Sequence, residues 1–277
     1  MRLFGRGVAI LLAIGFGYAS YIYLTLPDVR ALRITNPTTT SFMALRAREA
    51  EARGEPVVCV QRWVPYARIS QNLKRAVLVT EDSAFWTHDG VDLEQLRESM
   101  EVNWERGEFA RGASTITQQL ARNLYLSPSK NLPRKLRELL IARRLEASLT
   151  KQRIFELYLN VIEWGDNVWG AEAASRHYFH KAAGELSASE SALLAGAISN
   201  PRAFDPAHPS ARLKRRQQMI MRRMGAATPP PVVPEPAVPH ITPDLDGVPL
   251  LPPVGPPTAL PGAPVSPDGG PGKPSGR

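Results

Sequence analysis

Apolar residues recur at intervals of three and four through the middle of the chain, a spacing that places them on one face of an α-helix. From Ser70 onward this pattern predicts a series of helices, and we expect three of them to end near Glu81, Gly165 and Gly225. Polar caps, or a proline suited to the first helical turn, mark the predicted starts at Ser70, Asp92, Ser114, Pro133, Thr150, Ser187 and Ser210. The pattern therefore predicts a mainly α fold.

The same pattern predicts which faces of the helices are apolar and where a strand precedes them. The apolar positions of three helices are Leu93, Leu96 and Met100, then Ile116, Leu120 and Leu124, then Leu136, Leu139 and Leu140. Upstream, residues 36–56 predict a loop followed by a short charged helix, and the segment PVVCVQRWVPY predicts a strand. Cys59 lies in that segment, where we expect a small buried apolar residue.

Both ends of the chain differ from this helical middle. Residues 7–26 carry no charge and are long enough to cross a membrane, which favours an uncleaved anchor over a cleaved signal peptide. The C-terminal end contains most of the 26 prolines and too few apolar residues to bury. We predict a cytoplasmic N-terminus at 1–6, a transmembrane helix at 7–26, a juxtamembrane linker at 27–61, a helical domain at 62–225 and a disordered tail at 226–277.

Composition restricts the partners and the chemistry. The net charge of +8 suits a partner that bears phosphates, such as nucleic acid, anionic lipid headgroups or a pyrophosphate-linked substrate. A membrane anchor favours the lipid headgroups and the pyrophosphate-linked substrate over nucleic acid. The single cysteine excludes an intrachain disulfide. His177 and His180 lack the accompanying acidic or thiol residues of a metal site, so we expect no metal centre.

Polar residues that could take part in catalysis or binding cluster in the segment EDSAFWTHDG and in the helix after it. The segment gathers two adjacent carboxylates, two aromatic residues and a histidine, although by itself this is typical of a solvated helix end. The next helix has more polar side chains than a solvated face requires, and capping accounts only for Ser114. Its potential donors to hydroxyl, amide or phosphate groups are Ser114, Thr115, Gln118, Gln119, Arg122 and Asn123.

A charged group follows on the next predicted helix. Arg134 and Glu138 are four residues apart and share a face, whereas Lys135 points about a quarter-turn away. Spacing alone indicates an ordinary solvated salt bridge between Arg134 and Glu138.

The order of the segments resembles one family. Five stretches carry the resemblance, namely EDSAFWTHDGVD, RGASTITQQLARNLYLS, RKLRE, KQRIFELYLNVIEWG and GAEAASRHYFHKAAGELSASESALLAGAISNP. From about Arg62 to Asn200 they resemble the successive motifs of the peptidoglycan glycosyltransferases of family 51. The resemblance implies a lysozyme-like glycosyltransferase lobe joined to a small membrane-facing lobe, in a protein with one N-terminal transmembrane helix. It also implies polymerisation of lipid II into glycan strands.

The resemblance implies roles for individual residues. Glu81 matches the general base, which takes the proton of the acceptor GlcNAc 4-hydroxyl before attack on the donor MurNAc anomeric carbon with inversion. Glu138 matches a second catalytic acidic residue. Arg122, Arg134 and Lys135 match the cations that receive the undecaprenyl pyrophosphate leaving group. The implied donor-site residues are Ser114, Thr115, Gln118, Gln119 and Asn123, and the implied supports of the base are Asp82, Phe85, His88 and Gly90.

The chain departs from the family pattern at Arg122, where lysine is usual. A rigid guanidinium fork is not equivalent to a compact ammonium group, although the charge is retained. The sequence also lacks transpeptidase motifs, which implies a glycosyltransferase without that second activity.

Two other classes of function stay open. A hydrolytic or lytic enzyme acting on finished glycan would use one glutamate as a general acid, but cleavage of a neutral glycosidic bond needs no pyrophosphate-binding cations. A membrane-anchored interaction protein could use the proline-rich tail to recruit partners, but it would not need an exposed acidic base at Glu81.

The resemblance also implies partners and a location. The partners are lipid II, the growing glycan strand and membrane lipid, with cell-wall synthesis proteins as further candidates and no nucleic acid. We expect no obligatory cofactor, and dependence on a divalent cation, Mg²⁺ or Mn²⁺, stays open. The implied location is the inner membrane, crossed once, with the N-terminus in the cytoplasm and the catalytic domain on the periplasmic side.

Overall fold

Most segments with a helical apolar period form helices. The computed structural model describes residues 2–106, 114–129 and 131–226. The helices of these residues are α1 (Arg2–Leu24), α2 (Ser41–Arg53), α3 (Gln71–Glu81), α4 (Leu93–Arg106), α5 (Ile116–Tyr125), α6 (Leu132–Ser148), α7 (Lys151–Val161), α8 (Ala171–Phe179), α9 (Ala188–Ala197) and α10 (Ala211–Ala226). The prediction of a mainly α fold is confirmed.

Three short strands form a small sheet beside the helices. They are β1 (Val60–Gln61), β2 (Glu163–Gly165) and β3 (Val168–Trp169). β3 lies in the centre, parallel to β1 and antiparallel to β2. The strand predicted for PVVCVQRWVPY is therefore limited to two paired residues. Because residues 55–60 are exposed, Cys59 is exposed as well, and the prediction of a buried cysteine is wrong.

Polar caps explain where several helices begin. Ser70 caps α3, Thr150 caps α7, and Ser187 caps α9 in a capping box, as predicted. For α5 the predicted cap is wrong by one residue, because the hydroxyl of Thr115, and not that of Ser114, accepts the Gln118 N–H at 3.2 Å.

Two helix ends also differ from their predictions. α7 ends at Val161 and not at Gly165, because Ile162 is extended and the residues after it pair in the sheet as β2. α10 continues to Ala226, beyond the predicted end at Gly225.

The core lies where two groups of helices meet. α3 packs against α9 and α10, while α5 packs against α6 and α7. The predicted face of α5 is confirmed, since Ile116 and Leu120 are fully buried and Leu124 nearly so.

The predicted apolar stripe of α6 is not its buried face, and two of the three predicted positions of α4 are exposed. These are Leu93 and Leu96, whereas the side chain of Met100 lies outside the described part of the structure. On α6 the core is formed by Ile141, Ala142 and Leu145, whereas the predicted stripe of Leu136, Leu139 and Leu140 is exposed or only partly buried. The physical reason is that Leu136 and Leu139 face cavities beside α1, while Leu140 lines one of these cavities and also packs against the edge of the core.

Three arginines of α6 and α7 form hydrogen bonds with the segment that follows α1. Arg137 donates to the backbone carbonyl of Thr25 at 3.1 Å, and Arg144 donates to the carbonyl of Leu26 at 3.2 Å. Arg153 donates to the carbonyl of Leu32 at 2.8 Å and to that of Thr35 at 3.1 Å. We call these contacts the arginine junction; it connects the end of α1 with α6 and α7.

The ends of the chain leave parts of the domain prediction open. Over the residues that the structure describes, no helix combines the length and the apolar character needed to cross a membrane. The transmembrane helix predicted at 7–26 is therefore not confirmed, although the segment is helical. The tail predicted at 226–277 lies, apart from Ala226, outside the described residues, and the boundaries of the helical domain stay a prediction.

Candidate active site

Glu81 is the last residue of α3, and its side chain is only partly buried. Its Oε2 accepts a hydrogen bond from Nε2 of Gln119 at 2.9 Å. Burial raises the pKa of Glu81, while the Gln119 hydrogen bond and the charges of Arg216 and Arg122 act in the opposite direction. A carboxylate with a raised pKa has the proton affinity that a general base requires.

Asp82 joins the end of α3 to the start of α5. Its buried carboxylate accepts the N–H of Ile116 at 2.9 Å, where the dipole of α5 favours negative charge. Nε2 of His88 lies 2.9 and 3.0 Å from the two Asp82 oxygens. The N–H of Gly90 donates to Nδ1 of His88 at 3.1 Å, so the neutral ring carries its proton on Nε2 and donates it to Asp82. Asp82 thereby fixes the backbone next to Glu81.

Gly90 brings the loop after α3 against the first turn of α5. Its φ of 85° lies in the left-handed region that glycine adopts without strain. Its carbonyl oxygen accepts the hydroxyl of Thr115 at 2.7 Å and the side-chain amide of Gln118 at 3.3 Å. Thr115 and Gln118 thus bind the loop that carries His88, and their polar atoms are partly used in doing so.

Phe85 anchors this loop in the core. Its buried ring packs edge-on against Trp86, with centroids 5.1 Å apart, and lies 5.5 Å from the ring of Phe155. The ammonium group of Lys151 stands 4.6 Å from the centroid of Phe85 and donates to Glu146 at 2.8 Å. These contacts restrict the segment between Glu81 and Gly90 on its core side.

A buried carboxylate holds two cations on α6. Glu138 is 1% exposed, and its two oxygens accept hydrogen bonds from Arg134 and Lys135. The interpretation as a solvated salt bridge, based on spacing alone, is therefore wrong. Nζ of Lys135 also donates to Gln118 Oε1 at 2.8 Å and to Ser114 Oγ at 3.1 Å. Ser114, which does not cap α5, thus contacts the cations of α6.

Arg122 and Asn123 lie farther along α5. Asn123 is buried, and its amide donates to the backbone carbonyl of Gln119 at 2.9 Å, so part of its hydrogen-bonding capacity is used within the helix. Arg122 is partly buried, and its Nε has no hydrogen-bond partner within the described parts of the chain. The charge of Arg122 acts on both Glu81 and Tyr158, lowering the pKa of each.

The residues around the start of α5 connect the acidic and basic groups. Gln119 contacts Glu81, while Ser114 and Gln118 contact Lys135. The geometry therefore places a partly buried carboxylate within the influence of Arg122 and Arg216 and links its helix neighbours to Lys135, which suits proton removal beside an anionic leaving group. Among the residues described, no three His, Cys, Asp or Glu side chains are grouped to hold a metal ion.

Four side chains of this region were not anticipated from the sequence. Tyr158 occupies an apolar position of α7, and nothing in its spacing shows that its hydroxyl reaches Gln119 at 2.9 Å. Arg216 comes from α10, which is remote in sequence. Glu146 and Lys151 form an ion pair behind the loop, although they resemble ordinary surface charges in the sequence.

Apolar cavities flank the cationic helix. One of about 570 Å³ lies between α1 and α6 and is lined by residues that include Phe16, Tyr23 and Leu140. Another of about 420 Å³ is lined in part by Tyr18 and Lys135. An apolar surface therefore adjoins the cations.

The chain is similar to proteins of known class over most of its length. A family model described as Transglycosylase matches residues 54–225, which makes the chain a glycosyltransferase. The biosynthetic peptidoglycan transglycosylase of Dechloromonas aromatica is 44% identical over 232 residues, covering 83% of this chain and 100% of that protein. The protein of the same name from Laribacter hongkongensis is 45% identical over 220 residues, covering 79% and 95%. The chain therefore belongs to the transglycosylase family, the family 51 that the motifs indicated.

Proposed function

We propose that this enzyme polymerises lipid II into peptidoglycan glycan strands and has no transpeptidase activity. The names of its relatives support the peptidoglycan substrate. The observation that carries the proposal is the position of Gln119, Ser114 and Gln118 at the start of α5, between the Glu81 carboxylate and Lys135. This arrangement suits a reaction in which a hydroxyl loses a proton while a phosphate group departs.

Glu81 acts as the general base in this proposal. Its carboxylate takes the proton of the acceptor GlcNAc 4-hydroxyl, and the oxygen then attacks the anomeric carbon of the donor MurNAc. Attack from the side opposite the leaving group inverts the configuration at that carbon. Because burial raises the pKa of Glu81, the ionised carboxylate binds a proton more strongly than an exposed glutamate does.

Arg122, Arg134 and Lys135 receive the negative charge of the undecaprenyl pyrophosphate. Nε of Arg122 and Nε of Arg134 have no hydrogen-bond partner within the described residues, and guanidinium groups form charge-assisted hydrogen bonds with phosphate oxygens. Glu138 contributes by holding Arg134 and Lys135 in place. Ser114, Thr115, Gln118 and Asn123 line the donor site, and their existing bonds preorganise it.

A membrane surface is the proposed place of the reaction. The apolar cavities beside α6 and the exposed side chain of Leu132, 85% accessible, support contact with lipid. The proposal includes a lysozyme-like lobe, a small membrane-facing lobe and a catalytic domain on the periplasmic side. The partners are the growing strand, membrane lipid and other cell-wall synthesis proteins, and a requirement for Mg²⁺ or Mn²⁺ stays open.

The substitution Glu81→Gln tests the proposal. It keeps the shape and the contact with Gln119 but removes the base, so we expect strand formation to fall by about 100-fold or more while the fold is retained. The measurement is polymer formation from labelled lipid II by the full-length protein in detergent, with circular dichroism to verify folding. The resemblance also implies inhibition by moenomycin.

Glu51→Gln is the matched control, because Glu51 is an exposed residue of α2. It should leave the rate unchanged. Unaltered polymerisation by Glu81→Gln would remove Glu81 from the mechanism. Cleavage of purified sacculi by a protein that does not use lipid II would instead support a hydrolytic enzyme.

A further inference from the structure

A chain of two hydrogen bonds connects the core of α7 with the proposed base. The hydroxyl of Tyr158, a residue with no exposed surface, donates to Oε1 of Gln119 at 2.9 Å. Nε2 of Gln119 in turn donates to Oε2 of Glu81 at 2.9 Å. Gln119 therefore receives one hydrogen bond from the core and gives one to the active site.

Only one orientation of the Gln119 amide satisfies these neighbours. Its NH₂ group faces two acceptors, Glu81 and the backbone oxygen of Ser114 at 3.4 Å. Its oxygen faces the hydroxyl hydrogen of Tyr158. Rotation of the amide by 180° would place the oxygen against both acceptors, which is repulsive. In this orientation the Tyr158 hydroxyl adds a donor to Oε1 and so holds the Gln119 side chain in place beside Glu81.

We propose that Tyr158 is a positioning residue for the reaction: by fixing Gln119 it keeps a hydrogen-bond donor on Glu81, which holds that carboxylate ionised and in place. This inference rests on the proposed function, because it concerns proton transfer by the same carboxylate. It assigns Tyr158 no contact with the substrate.

The hydroxyl is suited to this task because it stays protonated. Burial, followed by the charge of Glu81, raises the pKa of Tyr158 well above its ordinary value, so the hydroxyl donates over the whole working range of pH. Without the hydroxyl, Oε1 of Gln119 would face an apolar ring and lose its donor. Gln119 is only partly buried, so its side chain would turn toward solvent and leave Glu81.

Other charged groups also face Glu81, and they come from several elements. Asp82 follows α3, Arg122 belongs to α5 and Arg216 to α10. Replacement of Tyr158 by phenylalanine changes none of these charges. A shift in the acid limb of the pH–rate profile would therefore report the loss of the Gln119 hydrogen bond.

Tyr158→Phe and Tyr66→Phe form a matched pair for the experiment. The hydroxyl of Tyr66 is also buried but has no hydrogen-bond partner within the described residues, so its removal breaks no bond. The rate of lipid II polymerisation is measured from about pH 5 to pH 9. We expect the acid limb of Tyr158→Phe to move up by about one pH unit, which is a tenfold loss below the limb. The KM should stay unchanged, the two curves should converge at high pH, and Tyr66→Phe should follow the wild type.

A second pair of variants tests the route through Gln119. Gln119→Leu should shift the acid limb in the same direction, and Tyr158→Phe should add nothing to it in the double variant. The inference would be overturned if the acid limb of either single variant did not shift or if its rate fell equally at every pH. Additive effects of the two substitutions in the double variant would also overturn it. If Tyr158→Phe fails to fold, the pH–rate profile of Gln119→Leu tests the inference, because Gln119 is partly exposed and its substitution should be tolerated by the fold.

An infrared titration separates failure of this inference from failure of the proposed function. The Glu81 carboxyl band is identified by its absence in Glu81→Gln, and its midpoint is compared between the wild type and Tyr158→Phe. A higher midpoint in the variant supports the positioning role even when lipid II is not the substrate. An unchanged midpoint contradicts that role even when the wild type polymerises lipid II.

Discussion

Lys74 combines a formal charge with nearly complete burial. The residue is 1% exposed on α3, and its ammonium group lies 3.9 Å from the centroid of the Tyr66 ring. Burial lowers its pKa from 10.5 to about 8. The folded state therefore disfavours the protonated lysine that the unfolded chain retains, and this reduces stability at neutral pH.

Lys74→Met should stabilise the protein near pH 7 by about 1 to 2 kcal/mol, because it removes a buried charge and keeps an apolar stem of similar length. The folded pKa is depressed, so the cost of the lysine is fully present below about pH 8 and disappears as pH rises to 10.5. The advantage of the variant should shrink over that interval. Urea unfolding at pH 7 and pH 10 measures it.

Lys214→Met serves as the control, because Lys214 is exposed on α10. Its effect on the unfolding free energy should be small at both pH values. A constant advantage of Lys74→Met across the interval would show that packing, and not titration, is responsible.

At the scale of single residues, the resemblance to family 51 supplied the candidates, and the structure supplied their contacts. The sequence predicts Ser114 as the cap of α5, but the next hydroxyl, that of Thr115, has the backbone geometry for it. Glu138 looked solvated because spacing shows which residues share a face but not whether the face is covered. The contact of Tyr158 is not predictable from local sequence, since the partner of its hydroxyl comes from another helix.

At the scale of elements, the connection between α7 and α8 depends on a close backbone approach. Gly170 precedes α8 with a φ of 83°, and a Cβ added there would lie 2.6 Å from the backbone oxygen of Asn160. Asn160 is itself fixed, because its side chain accepts the N–H of Val64 and donates to its carbonyl, both at 2.9 Å. The obstructing oxygen therefore has little freedom to move.

Gly170→Ala should consequently destabilise the fold by about 2 to 4 kcal/mol, from backbone strain together with the collision. Gly225→Ala is the matched control, since Gly225 lies in α10 with nothing within 4 Å of an added Cβ. We expect that change to be neutral or stabilising by up to about 1 kcal/mol. Thermal unfolding compares the two, and equal melting temperatures would contradict the predicted strain.

Local signals predicted where elements exist better than which face they bury. The caps at Ser70, Thr150 and Ser187 depend on residues within one turn, and they are correct. The leucines of α6 have a helical period, but their surroundings depend on α1, which is about a hundred residues away. β2 is a similar case, because its residues continue the apolar period of α7 and form a strand only by pairing with β3.

At the scale of the whole molecule, the arginine junction makes the N-terminal segment part of the same structure as the active site. In this junction the guanidinium group of Arg153 donates to the carbonyls of Leu32 and Thr35. It also donates to the side chain of the adjoining Asn36. α6 carries both Arg144 of the junction and the cations Arg134 and Lys135. No local pattern predicts the junction, because most of its acceptors are backbone carbonyls, which every residue carries.

Arg153→Lys should loosen the junction, because an ammonium group cannot reach all the acceptors of a guanidinium fork. We expect amide hydrogen exchange in residues 30–36 to become about tenfold faster or more, with little change in the core of α5. Arg97→Lys, on an exposed side chain of α4, should leave the exchange unchanged. Equal protection in the Arg153 variant and the wild type would show that other contacts hold the segment.

The arginine junction has a consequence for how the N-terminal segment can evolve. Its acceptors are mostly carbonyl oxygens, and every amino acid supplies one. The exposed positions among residues 25–35 are therefore free to exchange side chains between related proteins without losing these bonds, whereas Leu26, Val29 and Leu32 are buried in the core and restricted by packing. An insertion or deletion there would move every later carbonyl past its arginine, so the exposed positions should vary in sequence while the segment keeps its length.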